Sequence, residues 1–196
     1  MKTHQMLTAL AFCVALAASS QKMVYDLSVF GFTFGKMEVQ HTVENDSTEL
    51  YTLHAKGKTN FLWMKREDEN TLYVRFRNGK LWTSNSTHIE SGVITKWNKM
   101  FFDGKLLHVD SYKGKKSFLG APDYSFLMMY FKPLLMRTRI FHESESDFVN
   151  LDYRKDGTVE MKISDGSRTV FHFLNGKIAE MEVHLAIATV HMKLVN

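Results

Sequence analysis

The chain has 196 residues, 44% hydrophobic and 13% aromatic, and its 25 Lys and Arg against 21 Asp and Glu give a formal charge of +4. That basicity is mild and dispersed, without the cationic run of a nucleic-acid binder, and is compatible with a solubilising surface or with attraction to anionic headgroups or acidic polysaccharide. A single cysteine excludes intrachain disulfide stapling and a multi-thiolate metal site, so stability has to come from apolar burial.

The first residues carry Lys2, an apolar run over 6–18 and then Ser19-Ser20-Gln21. A short basic start, a stretch too short to span a bilayer and the small residues Ala15, Ala17 and Ala18 describe a secretory signal. We expect residues 1–20 to be a signal peptide and 21–196 a single exported domain, periplasmic or extracellular. An uncleaved anchor is the competing reading, and a lipid anchor at Cys13 would want a small residue where Phe12 stands. Because Cys13 lies in the signal, the exported protein would have no thiol.

Residues 23–29 and 37–43 alternate apolar and polar positions, as strands with one buried face do. A polar turn over 44–48 leads to a strand over 50–58. Phe61-Leu62-Trp63-Met64 is denser and implies burial on both faces or an edge over a cavity mouth. Leu72, Val74 and Phe76 alternate up to Asn78-Gly79, and return strands follow over 81–89, 92–102 and 106–112. Asn78-Gly79, Asp103-Gly104, Lys113-Gly114, Asp156-Gly157, Asp165-Gly166 and Asn175-Gly176 punctuate the chain as consecutive hairpin turns, with Asn-Gly and Asp-Gly supplying the positive φ of primed turns. No repeat of fixed period accompanies them, which disfavours a propeller or solenoid.

One segment breaks the ladder. Residues 121–136 replace β-branched residues with straight-chain and aromatic ones, Asp123 or Ser125 can cap a helix start, and Pro133 enforces a stop. The pattern predicts a short helix over 123–131, apolar on nearly every face and therefore covered by the sheet. After a polar stretch over 141–147, strands return over 148–154, 159–164, 168–174, 178–185 and 186–194.

YDLSVFGFTFG at 25–35, YSFLMMYFKP at 124–133, FHESE at 141–145, and DG followed by FHFLNGKI over 165–178 together resemble a family of small exported bacterial domains of unknown function. The family pattern has an acidic residue before the proline where this chain has Lys132. These domains are similar to the lipoprotein-carrier-like half-barrels of the bacterial periplasm. The resemblance implies a mainly β fold, a curved antiparallel sheet wrapping one short apolar helix around an apolar cavity. It further implies a hydrophobic-ligand or envelope role, and it carries no catalytic residues.

Candidate chemistry is sparse. His172, His184 and His191 fall on three C-terminal strands, but no His-x-His or His-Glu-x-x-His spacing accompanies them, and they read as strand histidines. His142, Glu143 and Glu145 beside Ser144 and Ser146 suggest acid–base or nucleophilic work, yet neighbours in sequence do not generally face one another. Glu67, Asp68 and Glu69 read as a solvated charged turn. Asn45-Asp46-Ser47 and Asn85-Ser86-Thr87 match the glycosylation acceptor pattern and read as turns or exposed strand.

The aromatic and methionine set is more informative, because methionine fills irregular spaces and tolerates ligands of variable shape. Trp63, Met64, Trp82, Trp97 and Phe101 from the middle strands, with Phe126, Met128, Met129 and Tyr130 from the helix, are the expected lining of a ligand cavity. No cofactor and no metal are expected. The leading expectation is a non-catalytic envelope protein binding a lipid or acyl-like ligand, with peripheral membrane contact as an added partner. A docking adaptor with no small ligand comes second and an envelope hydrolase or isomerase third. Oligomeric state is open.

Overall fold

A computed structural model describes residues 20–61 and 64–195; the expected signal peptide lies almost entirely outside them. Fourteen strands form one antiparallel sheet. The first eight are β1 (Ser20–Val29), β2 (Phe32–Asn45), β3 (Thr48–Phe61), β4 (Met64–Arg77), β5 (Lys80–Glu90), β6 (Val93–Phe102), β7 (Leu106–Ser111) and β8 (Gly114–Leu119). After a 3-10 segment, η1 (Phe126–Tyr130), come β9 (Arg139–His142), β10 (Asp147–Tyr153), β11 (Val159–Lys162), β12 (Arg168–Leu174), β13 (Lys177–His184) and β14 (Thr189–Leu194).

The strand order is β8-β7-β6-β5-β4-β3-β2-β1-β14-β13-β12-β11-β10-β9. Two meanders, each running outward in sequence order, are thus joined by the pairing of the first strand with the last, Tyr25 opposite Leu194 and Val29 opposite Val190. The sheet is not closed, since β8 and β9 remain its edges. It curls until side chains from the two edges touch: the Phe118 ring meets Phe141 at 5.9 Å and Phe148 at 6.2 Å, both edge to face, and Lys116 pairs with Asp147 at 2.9 Å.

All six expected glycine turns hold their glycine at positive φ. Four hairpins use two-residue turns with both residues left-handed: Phe30-Gly31, Asn78-Gly79, Ser91-Gly92 and Asn175-Gly176. This primed geometry matches the right-handed twist of the flanking strands. Bulges interrupt the ladder between Leu27 and Ser28, Arg75 and Phe76, and His88 and Ile89, bending the sheet where it curls. Gly35 faces Gly57 across β2 and β3. A Cβ on Gly57 would meet the Phe34 ring at 2.6 Å, so Phe34 lies where only a glycine leaves room.

Two expectations need correction. Residues 123–131 do not form an α-helix, and no α-helix occurs among the described residues. Ser125 is extended (φ −141°, ψ 173°), bridges to Phe141 of β9 and makes no side-chain cap bond, and Pro133 limits growth from the other side. A segment this short cannot recover the cost of helix nucleation by its own hydrogen bonds. Packing sets the conformation instead, with Leu127, Met128, Met129 and Tyr130 all buried, so the expected burial on nearly every face is met by a 3-10 turn. The second correction concerns Glu67, Asp68 and Glu69, which stand within β4 opposite Lys58, Gly57 and Lys56 of β3. Cross-strand lysines, rather than a turn, account for that acidic run.

The core lies on the concave face around η1. Tyr25, Tyr51, Tyr130, Phe76, Phe141 and Phe171 are its largest fully buried side chains. Tyr25 stands edge-on to Tyr130 at 5.7 Å and donates its hydroxyl to the Ile178 carbonyl at 2.9 Å. Burial raises the Tyr25 hydroxyl pKa well above its usual value, so it serves as a neutral donor.

Candidate functional site

The segment η1 packs against β3, β9 and β13, and side chains fix it at both ends. At its C-terminal end Lys132 reaches Glu49 of β3 at 2.8 Å. Glu49 also accepts from the Tyr51 hydroxyl and faces His41 Nε2 at 2.9 Å. The imidazole stacks on Tyr51 at 4.5 Å and meets Phe131 at 5.6 Å. Burial pushes the Glu49 carboxyl up, but Lys132, Tyr51 and His41 outweigh it and hold the pKa below the usual carboxylate range.

At the other end Glu143, fully buried in the turn after β9, accepts the Leu127 N–H at 3.3 Å through Oε1. Among the described residues Oε2 has no hydrogen-bond partner. Burial raises this carboxyl to about 7, against the N–H groups of Leu127 and Phe126 and the nearby Ser125 hydroxyl, which favour the charged form. The backbone of the same turn is held by Asn98 of β6, whose Nδ2 donates to the Glu143 carbonyl at 2.9 Å. His142 stacks on Phe126 at 4.6 Å, and burial lowers its pKa to about 4.

Between this anchored segment and the sheet remains a cavity of about 350 Å³, at the small end of the ligand-site range of about 300–1,000 Å³. Phe126 and Tyr130 form its wall on the side of η1, while Met37, Met161, Met181 and Met192 line the sheet side with Leu53, Ala55, Leu72 and Val183. Trp97 and Ile163 also line it, and the rest of the lining is polar and includes Asn70, His88, Lys96, Ser144 and Asp165. Asn70, Lys96, Ser144 and Asp165 are exposed, so the apolar interior opens at a polar rim. His88 is oriented there by Asn70 Oδ1 at 2.5 Å and Glu90 Oε1 at 2.9 Å. Asp68, His88 and Glu90 offer ligand atoms within 4.8 Å of one another.

Of the expected lining residues, Trp97, Phe126 and Tyr130 line this cavity. Met128 and Met129 are buried in the core and do not. Trp82 and Phe101 are also outside it: Trp82 packs on Phe102 at 6.2 Å beneath Arg77, and Phe101 is exposed and stacked on His108. Phe101 points outward beside the inward Met100, and Trp82 is displaced beside the inward Leu81. Trp63 lies outside the described residues, as does the side chain of Met64. Sequence reasoning missed the methionines of β2, β11, β13 and β14, although each occupies an inward position of an alternating strand.

The FHESE stretch packs against η1 and also reaches the cavity, with His142, Ser144 and Glu145 in its lining. Imidazole Nδ1 of His142 accepts the Glu145 N–H at 3.3 Å, and the carboxylate of Glu143 holds η1. A serine, a histidine and an aspartate do align elsewhere: Ser117 Oγ lies 3.3 Å from His108 Nδ1, and His108 Nε2 lies 2.7 Å from Asp103. Asp103 Oδ1 accepts the Lys105 and Leu106 N–H groups, which makes Asp103 the closure of the β6–β7 turn. Acyl transfer needs oxyanion donors and a substrate cleft as well as such a chain, and Ser117 stands exposed on the edge strand. Of the two acceptor triplets, residues 45–47 form the β2–β3 turn and residues 85–87 lie inside β5.

Compared with protein-family models, with curated proteins and with solved structures, the chain gives no match.

Proposed function

We propose that the chain is a non-catalytic, exported binder of an amphipathic ligand, taking an alkyl or acyl chain into the cavity between η1 and the sheet. The observation that carries this reading is the methionine-rich, 350 Å³ space left beside an otherwise packed core. Burying acyl surface there is worth about 25 cal/mol per Å², and thioether side chains adjust to chains of different shape. Lys96 and His88 at the rim suit an anionic or hydrogen-bonding headgroup.

Peripheral contact with a membrane fits the same end of the molecule. Leu27, Gly35, Gly57, Asp68 and Glu90 form one row across β1 to β5, which puts the β1–β2 and β5–β6 turns at one end. The β13–β14 turn joins them through the pairing of Val29, Val190 and Val183. These tips expose Phe30, Phe32, Val93, Ile94, Leu185 and Ile187, and the cavity rim lies about two residues inward along the strands. Apolar tips around a cavity mouth would let a ligand pass from a bilayer without crossing water.

The test is titration of delipidated protein with a dansyl-labelled fatty acid, following probe emission and tryptophan quenching. Saturable binding is expected, and Ala55→Trp, which fills the cavity from β3, should weaken it at least tenfold while leaving the β-sheet circular dichroism unchanged. Absence of saturable binding, or equal binding by the folded Ala55→Trp chain, overturns the proposal.

A further inference from the structure

The strands that give the cavity its inner methionines carry a second constellation on their outer face. Along β13, Met181 and Val183 line the cavity, so Glu180, Glu182 and His184 project from the opposite side. Register adds His172 of β12, opposite Glu180, and His191 of β14, opposite Glu182. The three histidines that the sequence scatters over 20 residues therefore converge on two carboxylates.

Their separations have the scale of a coordination shell. Glu180 Oε1 lies 3.6 Å from His191 Nδ1, Glu182 Oε1 lies 3.3 Å from His172 Nε2, and Glu182 Oε2 lies 3.2 Å from His184 Nε2. One ligand atom each from Glu180, Glu182 and His191 can be chosen so that all three lie within 4.8 Å of one another. Tetrahedral zinc at about 2.0–2.1 Å from nitrogen and oxygen places its ligands roughly 3.3 Å apart, so only small rotamer changes separate this group from a bound geometry. Among the described residues no Lys or Arg forms an ion pair with either glutamate; imidazoles do, while Lys193 stands opposite Glu180 in the β13–β14 register.

We propose that Glu180, Glu182 and His191 bind a divalent transition-metal ion of the zinc class on the outer face of β13 and β14. The mixed imidazole and carboxylate set selects such an ion over magnesium or calcium, which prefer all-oxygen shells. His172 and His184 act on Glu182 from outside the shell, and His184 is itself held by Thr189 Oγ1 at 3.0 Å from Nδ1, the kind of support that orients a ligating carboxylate. Three protein ligands leave the fourth position to water. The sheet lies between this site and the cavity, so the site does not depend on the ligand-binding reading.

The experiment is calorimetric titration of the chelator-stripped protein with zinc chloride, repeated in competition with a chromogenic chelator and with excess calcium. One equivalent of zinc should bind, calcium should not displace it, and Glu182→Gln and His191→Ala should each weaken binding at least tenfold. His54→Ala, which removes a surface histidine paired with Glu69, should leave it unchanged, and circular dichroism checks that all variants are folded. No zinc binding by the wild type, or undiminished binding by a folded Glu182→Gln/His191→Ala chain, overturns the proposal. Binding lost only with His88→Ala would place the ion at Asp68, His88 and Glu90 and overturns it equally.

Discussion

Two glutamates hold the same short segment from opposite ends, and they do so in opposite electrostatic states. Glu49 is half-buried, meets Lys132, Tyr51 and His41, and has its pKa held down. Glu143 is sealed in the core, meets backbone N–H groups and no cation, and has its pKa raised to about 7. Location and partners both enter: complete burial raises Glu143 against the N–H groups that favour its charged form, whereas at half-buried Glu49 the lysine, tyrosine and histidine outweigh burial. The wall of the cavity is thus tethered at one end by a bond that stays charged at neutral pH and weakens only in acid, and at the other by one that titrates near neutrality.

The largest break in this arrangement should come from its common hub. Tyr130 is 1% exposed, stands against Tyr25 and Phe126, and points its hydroxyl at Met181 Sδ at 3.3 Å. Tyr130→Ala should cost about 3–5 kcal/mol, as truncation of a large buried aromatic does, measured by urea unfolding at neutral pH. A loss under about 1 kcal/mol would mean that η1 is not part of the cooperative core.

The buried end can be separated from the wet end by pH. Between about 4.5 and 7 native Glu143 keeps a proton that the unfolded chain has lost, so its contribution to stability falls as pH rises through that window. Native His142 stays neutral down to about 4 while the unfolded imidazole charges below about 6.5, so its contribution falls as pH drops. Each slope integrates to about 3 kcal/mol at about 1.4 kcal/mol per pH unit, and where the windows overlap the two oppose each other. The wild-type stability should therefore be nearly flat from about pH 4.5 to 6.5 with respect to this pair. Glu143→Gln should expose the histidine slope, with stability rising toward pH 6.5, and His142→Gln should expose the carboxyl slope, with stability falling toward pH 7. Denaturant midpoints across pH 4–8 measure both, and parallel profiles for the two variants would contradict the assignment.

The sheet was legible because strand alternation and turn chemistry are local. Asn78-Gly79 and Asn175-Gly176 state their geometry in two residues, whereas Phe30-Gly31 makes the same turn with a residue that carries no turn signal. The 3-10 segment was legible as an apolar interruption and not as a conformation, because Ser125 is fixed by Phe141, sixteen residues away. Trp97 could be assigned to the cavity and Trp82 could not be excluded from it, since bulges at Arg75/Phe76 and His88/Ile89 shift which residues face inward. The outer histidines were legible as residues of three C-terminal strands, but their carboxylate partners were not: Glu182 and His191 become neighbours only through the β13–β14 register.

The smallest effect sharpens the comparison from the solvated side. The Lys132 ammonium lies over the Tyr51 ring at 5.8 Å as well as beside Glu49. Both charged groups are about a third exposed, so screening limits the pair to about 0.5–1 kcal/mol. Lys132→Met should lose that amount at 50 mM salt and less at 1 M salt, without altering the pH profile set by Glu143 and His142. Lys132→Glu should lose more, because it places a second carboxylate against Glu49 and repulsion replaces attraction. If Lys132→Met instead changed the slope between pH 4.5 and 7, the two ends of η1 would be electrostatically coupled across the core, and the distinction between a charged tether and a titratable one would fail.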